Sequence, residues 1–219
     1  MSIIETFKET GIFVKISSSS LLVSLLFVWI AFTCTGWGGY DRKEVPSVKN
    51  GMHFGLWRIC DDSIIVTPCK PLDGVTNEWF GTVQAFVIFG FLGINVAFFL
   101  LILYVFVPSC QRNGEVGKAA SIICFVTAGF YFIGVIIFGV RYKRDYIEQY
   151  EQNFKFGYCY FLSIAAILFE GGAGVLLFLE ARMNGTQTPT ERQNLTVSTA
   201  SSYQGNPTYG ASTNRDTVE

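Results

Sequence analysis

GLWRICDDSIIVTPC, Gly55 to Cys69, sets two residues between Trp57 and Cys60 and eight between Cys60 and Cys69. The chemistry of that pattern depends on which side of a membrane it lies, because the rest of the chain is built to cross one. Half of the 219 residues are apolar, 21 are phenylalanine and only 15% are charged, where a soluble domain carries about a quarter. Four apolar runs stand out, at residues 16–36, 80–107, 119–140 and 158–179. Each holds roughly 20 residues or more, enough at ~1.5 Å per residue to cross a ~30 Å hydrocarbon core. Backbone groups in lipid must be satisfied within the segment, so the runs are read as helices. The rival reading of the first run, a cleaved signal peptide ending near Cys34-Thr35-Gly36, would leave three spans.

Composition excludes several function classes. The net charge of −1 supplies no basic field for nucleic acid. The single histidine, His53, leaves little for metal or acid–base chemistry. No nucleophile–histidine arrangement, phosphate-binding glycine loop or metal-ligand cluster is present, so neither an enzyme nor a cofactor is expected.

Between the spans lie a long loop at 37–79, a short connector at 109–118 and a second loop at 141–157. In the long loop GWGG, VPSVKNG and PLDG read as turns, with HFGLWRI and SIIVT as strands between them. Cys60 and Cys69 then stand at opposite ends of two candidate strands, either as free thiols or as a disulfide closing a hairpin. Such a bond contributes about 2–3 kcal/mol and persists only in an oxidising compartment. The other cysteines of the spans, Cys34, Cys124 and Cys159, read as small apolar side chains. Tyr146, Tyr150 and Phe154 recur every fourth residue, which predicts that span 3 continues as a helix carrying an aromatic stripe. That stripe either packs on the long loop or forms an adhesion surface. Ile3, Ile4, Phe7 and Val14 predict a short interfacial helix ahead of span 1.

Four spans put both termini on one side and both loops on the other. Lysine and arginine favour the loops as the cytosolic side, nine residues against six on the side of the termini and connector. A Cys60–Cys69 bond would argue the reverse.

Trp37, nineteen intervening residues, Trp57 of the GLW triplet, and then Cys60 and Cys69 together resemble the W…GLW…C…C signature of the claudin superfamily. That group includes the peripheral myelin and epithelial membrane proteins and the γ-subunits of voltage-gated calcium channels. The resemblance covers residues ~10–182. It implies an all-α transmembrane four-helix bundle topped by a small extracellular antiparallel sheet, one strand of which comes from loop 2. It further implies a Cys60–Cys69 disulfide on the exoplasmic side, cytoplasmic termini, and Gly55, Leu56 and Trp57 anchoring the sheet to the bundle and the membrane. The departures are equally specific. Span 2 opens EWFGTVQAF without the arginine of vertebrate claudins, Lys70 replaces an acidic residue, the chain ends DTVE, and loop 1 has no glycosylation site. These departures fit claudin-like proteins of invertebrates.

The expected role is a junction protein of the plasma membrane whose loops associate with like or related proteins in the same and opposing membranes, sealing or selectively passing solutes. The alternative is an auxiliary γ-type subunit acting on an ion channel or receptor. A third reading is a myelin-type organiser of membranes. Asp61, Asp62 and Lys70 flank the cysteines as candidate pore charges, or are a solvated face. Glu170, in mid-span, is costly in lipid. Its plain reading is a protonated carboxyl bonded to Asn95 or Gln84 of span 2, with Gly171, Gly172 and Gly174 allowing close helix approach. Cys110 is a candidate for palmitoylation. The tail, 183–219, is too polar to offset its ordering entropy and reads as disordered. It carries sequons at Asn184 and Asn194, and its Asn206-Pro207-Thr208-Tyr209 matches the NPxY pattern, either a chance match or a candidate ligand for a cytoplasmic adaptor.

Overall fold

The computed structural model describes residues 7, 10–41, 51–62, 69–72, 78–107, 110, 114–142, 144 and 153–185. Four helices are long and apolar enough to cross a membrane. They are α1 (Ile12–Thr33), α2 (Glu78–Phe106), α3 (Gly114–Tyr142) and α4 (Tyr158–Gly185). Five strands form one antiparallel sheet: β1 (Gly38–Asp41), β2 (Gly51–Phe54), β3 (Arg58–Asp61), β4 (Cys69–Pro71) and β5 (Asn153–Phe156). Their order is β4-β3-β2-β1-β5, so the second loop adds its strand beside the first strand of the long loop.

Each helix is apolar on every side, yet its buried residues fall in a narrow seam. In α1 these are Val14, Ser17, Leu21, Ser24, Val28 and Ala31. In α2 the seam includes Val83, Val87, Gly90, Ile94, Ala97 and Leu101. Steps of three and four residues keep one stripe facing its neighbours in a left-handed bundle. The seam is richer in small and polar residues than the outer surface, where Trp29, Phe89, Phe99, Phe132 and Leu168 are exposed. That inverts the order of a soluble protein. Lipid accepts large apolar side chains as readily as a core does, so close packing and internal hydrogen bonds hold the helices together.

The hydrogen bonds converge on α4. Ser20 donates to Phe169 O and Ser24 to Ala166 O, tying α1 to α4. From α3, Ser121 donates to Gly174 O and the Thr127 hydroxyl to Glu170 Oε1. Glu170 is fully buried, and its partner therefore comes from α3 rather than α2. Asn95 instead donates to Phe91 O of its own helix, and Gln84 to Leu56 O of the loop. Both are committed elsewhere, and among the described residues Thr127 is the side chain that bonds the carboxyl. Its methyl faces Gly93 of α2, where any Cβ would overlap it. Thr127 thus links three helices. Of Gly171, Gly172 and Gly174, only Gly174 meets a neighbour, at Cys124 and Phe125; Gly171 and Gly172 face open space.

This arrangement predicts that Thr127→Val, which keeps the methyl and removes the hydroxyl, leaves Glu170 without that donor. The expected cost is about 1–3 kcal/mol in unfolding free energy. Glu170→Gln keeps an acceptor of similar size and should cost less. A double-mutant cycle on detergent-solubilised protein should return a coupling of roughly 0.6–1.7 kcal/mol, and additive effects would refute the contact.

Several elements differ from the expectation. Span 1 begins at Ile12, and Val14 joins the bundle core rather than a separate interfacial helix; Ile3 and Ile4 lie outside the described residues. The α1 seam, from Val14 to Ala31, forms part of the buried core of the bundle. GWGG is not a turn, since Gly38 and Gly39 open β1. HFGLWRI is two strands, with Gly55, Leu56 and Trp57 as the connection between β2 and β3. SIIVT, residues 63–67, lies outside the described residues, as do Tyr146 and Tyr150. Phe154 lies on β5, so the four-residue spacing does not continue as one helix. Pairing with β1 won over local helical periodicity there. At the other end α4 runs to Gly185, past the expected limit of 182. The tail with Asn194 and Asn206 to Tyr209 lies outside the described residues.

Candidate functional site

The loop end of α1 shows why the signature has its particular residues. A helix leaves its last four carbonyls without intrahelical partners. Here Cys34 N–H reaches Ile30 O at 2.9 Å. The indole of Trp37 donates to Ala31 O at 2.7 Å, and the indole of Trp57 to Phe32 O at 2.8 Å. Tryptophan combines a large apolar ring with a single donor, which is what a helix end under a sheet requires. Trp37 is fully buried rather than set at the membrane surface, while Trp57 is half-buried against Phe32, ring centroids 5.1 Å apart.

Gly55 lies on the Cys34 carbonyl, where a Cβ would overlap the oxygen. Its N–H closes the turn by donating to Arg58 O at 2.9 Å. Leu56 is fully buried, and its carbonyl accepts from Gln84 Nε2 of α2 at 2.6 Å. The triplet therefore carries three separate contacts: backbone on backbone, core filling, and a helix cap. Beneath the sheet sits an aromatic plug that sequence reasoning missed. Phe54 packs on Tyr142 at 4.5 Å, and Phe138 stacks on Tyr142 at 5.1 Å and meets Trp37 edge-on at 5.1 Å.

Cys60 and Cys69 are directly paired across β3 and β4, Cα atoms 4.0 Å apart, and form a disulfide. A second disulfide was not anticipated. Cys34, just past α1, is bonded to Cys159 in the first turn of α4, 125 residues along the chain. Both cysteines sit at the loop end of their helices, and the strand backbones bring them together. Gly157 N–H donates to Trp37 O and Cys159 N–H to Gly36 O, each at 3.0 Å. Their distance in sequence hid the pair. Among the described residues Cys110 and Cys124 keep free thiols, and Cys110 stands in the turn after α2.

Alkylation of unreduced, denatured protein should therefore label two of the six cysteines, Cys110 and Cys124. Four labels would remove the second bond. Replacing Cys34 and Cys159 together by serine should cost less than the ~4.7 kcal/mol that loop entropy assigns to a ring of about 100 residues, because insertion already restrains both helix ends.

The candidate loop charges do not form one set. Asp61 pairs with Met52 and Lys70 with Ile59, which puts both on the face that carries Phe54. Asp62 turns the other way, its Oδ1 3.2 Å from His53 Nδ1. On that opposite face Lys155, Gly39, His53 and Cys60 form one cross-strand row. A groove of about 410 Å³ runs there, edged by Tyr40, His53, Asp62, Lys155 and Tyr158. His53 and Lys155, not assigned to the site from sequence, thus join Asp62. No group of three or more metal-ligating side chains occurs among the described residues.

Four membrane-spanning helices capped by a disulfide-stapled antiparallel sheet define a multi-pass membrane protein of claudin-like fold. A profile of the PMP-22/EMP/MP20/Claudin family matches residues 10–177, and the chain belongs to that family. The family consists of non-enzymatic membrane proteins. No curated protein matches the chain in a sequence search.

Proposed function

We propose that the protein works at contacts between cells, its loop sheets associating with those of like or related proteins to form a barrier or a selective path for solutes. The observation that carries this reading is the platform itself. Both loops contribute strands to one sheet, and the Cys60–Cys69 disulfide staples it. The Cys34–Cys159 disulfide joins the ends of α1 and α4, and two tryptophans and an aromatic plug seat the sheet on the helices. A rigid surface held above the bilayer suits docking to a facing surface, because little entropy is lost on association.

The same disulfides support an orientation with the loops outside and the termini in the cytoplasm. Two bonds at one end of the bundle fit an oxidising compartment, and we weigh them above the lysine and arginine count. His53, Asp62 and Lys155 are the groups we assign to solute contact along the groove, with Asp61 and Lys70 toward the other face. Cys110, next to the end of α2 on the side of the termini, remains our candidate for acylation.

The test is imaging of two neighbouring populations of non-adherent cells that carry differently tagged copies. Enrichment of both tags at shared contacts is the expected result. Uniform surface distribution, with an ion channel or receptor co-purifying, would replace this reading with that of an auxiliary subunit.

A further inference from the structure

A cleft of about 330 Å³ opens at the loop end of α1, lined by Thr33, Cys34, Thr35, Trp57 and Arg58. It adjoins the groove on the sheet, with Thr35 lining both. Arg58 is exposed and forms no ion pair among the described residues, and the Thr35 hydroxyl has no hydrogen-bond partner among them. A fixed cation and an open donor therefore share one polar mouth.

Apolar rings continue from that mouth toward the bilayer. Trp57 meets Phe32 edge-on at 5.1 Å, Phe32 stacks on Phe91 at 4.3 Å, and Phe91 meets Trp29 edge-on at 4.9 Å. Trp29 lies on α1 with about half its surface exposed on the outside of the bundle. The sequence of chemistry is cation, hydroxyl, amphipathic indole, then aromatic wall. It runs from the end of a membrane-spanning helix down its lipid-facing side, in the order phosphate, glycerol and acyl chain of a phospholipid. Arginine suits the head of such a ligand because its planar fork can hold two phosphate oxygens at once. Tryptophan suits the boundary, where one side of the ring is wet and the other apolar.

We propose that this cleft binds a phospholipid of the loop-side leaflet, its phosphodiester on Arg58 and Thr35 and one acyl chain along Phe32, Phe91 and Trp29. A soluble anion would use the mouth and leave the rings idle. A diacylglycerol would use the rings and leave the cation idle. The bound lipid would brace the junction between α1 and the β2–β3 connection, since Trp57 belongs to both the cleft and the cap on Phe32 O.

Thermal unfolding of the purified full chain in detergent tests this with three additives: dioleoyl phosphatidylcholine, dioleoylglycerol and inorganic phosphate. The phosphatidylcholine should raise the unfolding midpoint, and the other two should leave it in place. Arg58→Gln should need at least tenfold more phosphatidylcholine for the same shift, whereas Arg58→Lys should keep most of the response. An equal shift with dioleoylglycerol, or with inorganic phosphate, would overturn the assignment, as would an undiminished response in Arg58→Gln. Should Arg58→Gln fail to fold, Thr35→Val carries the test: a threefold or greater loss is expected, and no loss overturns the proposal.

Discussion

Trp37→Ala should all but abolish delivery of folded protein to the cell surface. Trp37 is fully buried between Phe138 and Tyr160, and its indole N–H satisfies Ala31 O at the end of α1. Truncation to alanine costs about 3–5 kcal/mol for the lost ring and its cavity. The orphaned carbonyl adds about 1–3 kcal/mol, since no water reaches it freely. A domain holds only about 5–15 kcal/mol in total, so the two losses consume most of the margin. Trp37→Phe separates them, because phenylalanine restores much of the ring and none of the donor. Surface biotinylation should rank wild type above Trp37→Phe, and Trp37→Phe well above Trp37→Ala. Equal surface levels for the two variants would mean that the cap contributes nothing.

Gly55→Ala is the second large effect, and it comes from a single methyl group. The added carbon would overlap the Cys34 carbonyl oxygen and crowd Thr35 Cα, both backbone. No rotamer relieves such a clash. The β2–β3 connection would have to lift from the end of α1, taking with it the Leu56 core contact, the Gln84 bond and the Trp57 cap. Overpacking that side chains can absorb costs about 1–3 kcal/mol; here the expected loss is about 3 kcal/mol or more, in the range of the few severe single substitutions. The unfolding midpoint in detergent gives the comparison, with Gly39→Ala as a reference at a second close contact, on Met52 O at 2.9 Å. A midpoint for Gly55→Ala equal to wild type would show that the connection has slack the structure does not contain.

Much of the architecture was legible because the bilayer sets simple demands. Length and apolarity alone mark the four spans, and their ends moved by only a few residues in most cases. Spacing and turn formers marked Cys60 and Cys69 as a possible hairpin pair, the family resemblance implied their bond, and the structure shows it. The helix seam was harder to read. Both sides of each helix are apolar, so contrast in hydrophobicity carries no signal. The available mark was the seven-residue spacing of the small residues Ser17, Ser24 and Ala31, or of Ala166 and Ala173. Glu170 stood out at once as costly, but its partner did not, because hydrogen-bond donors occur on every span and register decides which of them meets it.

GLWRICDDSIIVTPC by itself marked a candidate hairpin with two cysteines open to either state, and the resemblance carried by its signature implied the staple and the four-span bundle. What only the tertiary structure decided is how that hairpin is held. The Cys34–Cys159 bond, the Trp57 cap on Phe32 O and the cleft at Arg58 join residues far apart in the chain. Trp37 reaches back six residues to cap Ala31 O, and the sheet register parts Asp61 and Lys70 from Asp62. Local propensity and spacing report what a segment does with its neighbours in sequence. The carbonyls left over at the end of α1 had to be met by donors arriving from elsewhere, and only the packed fold brings those donors to them.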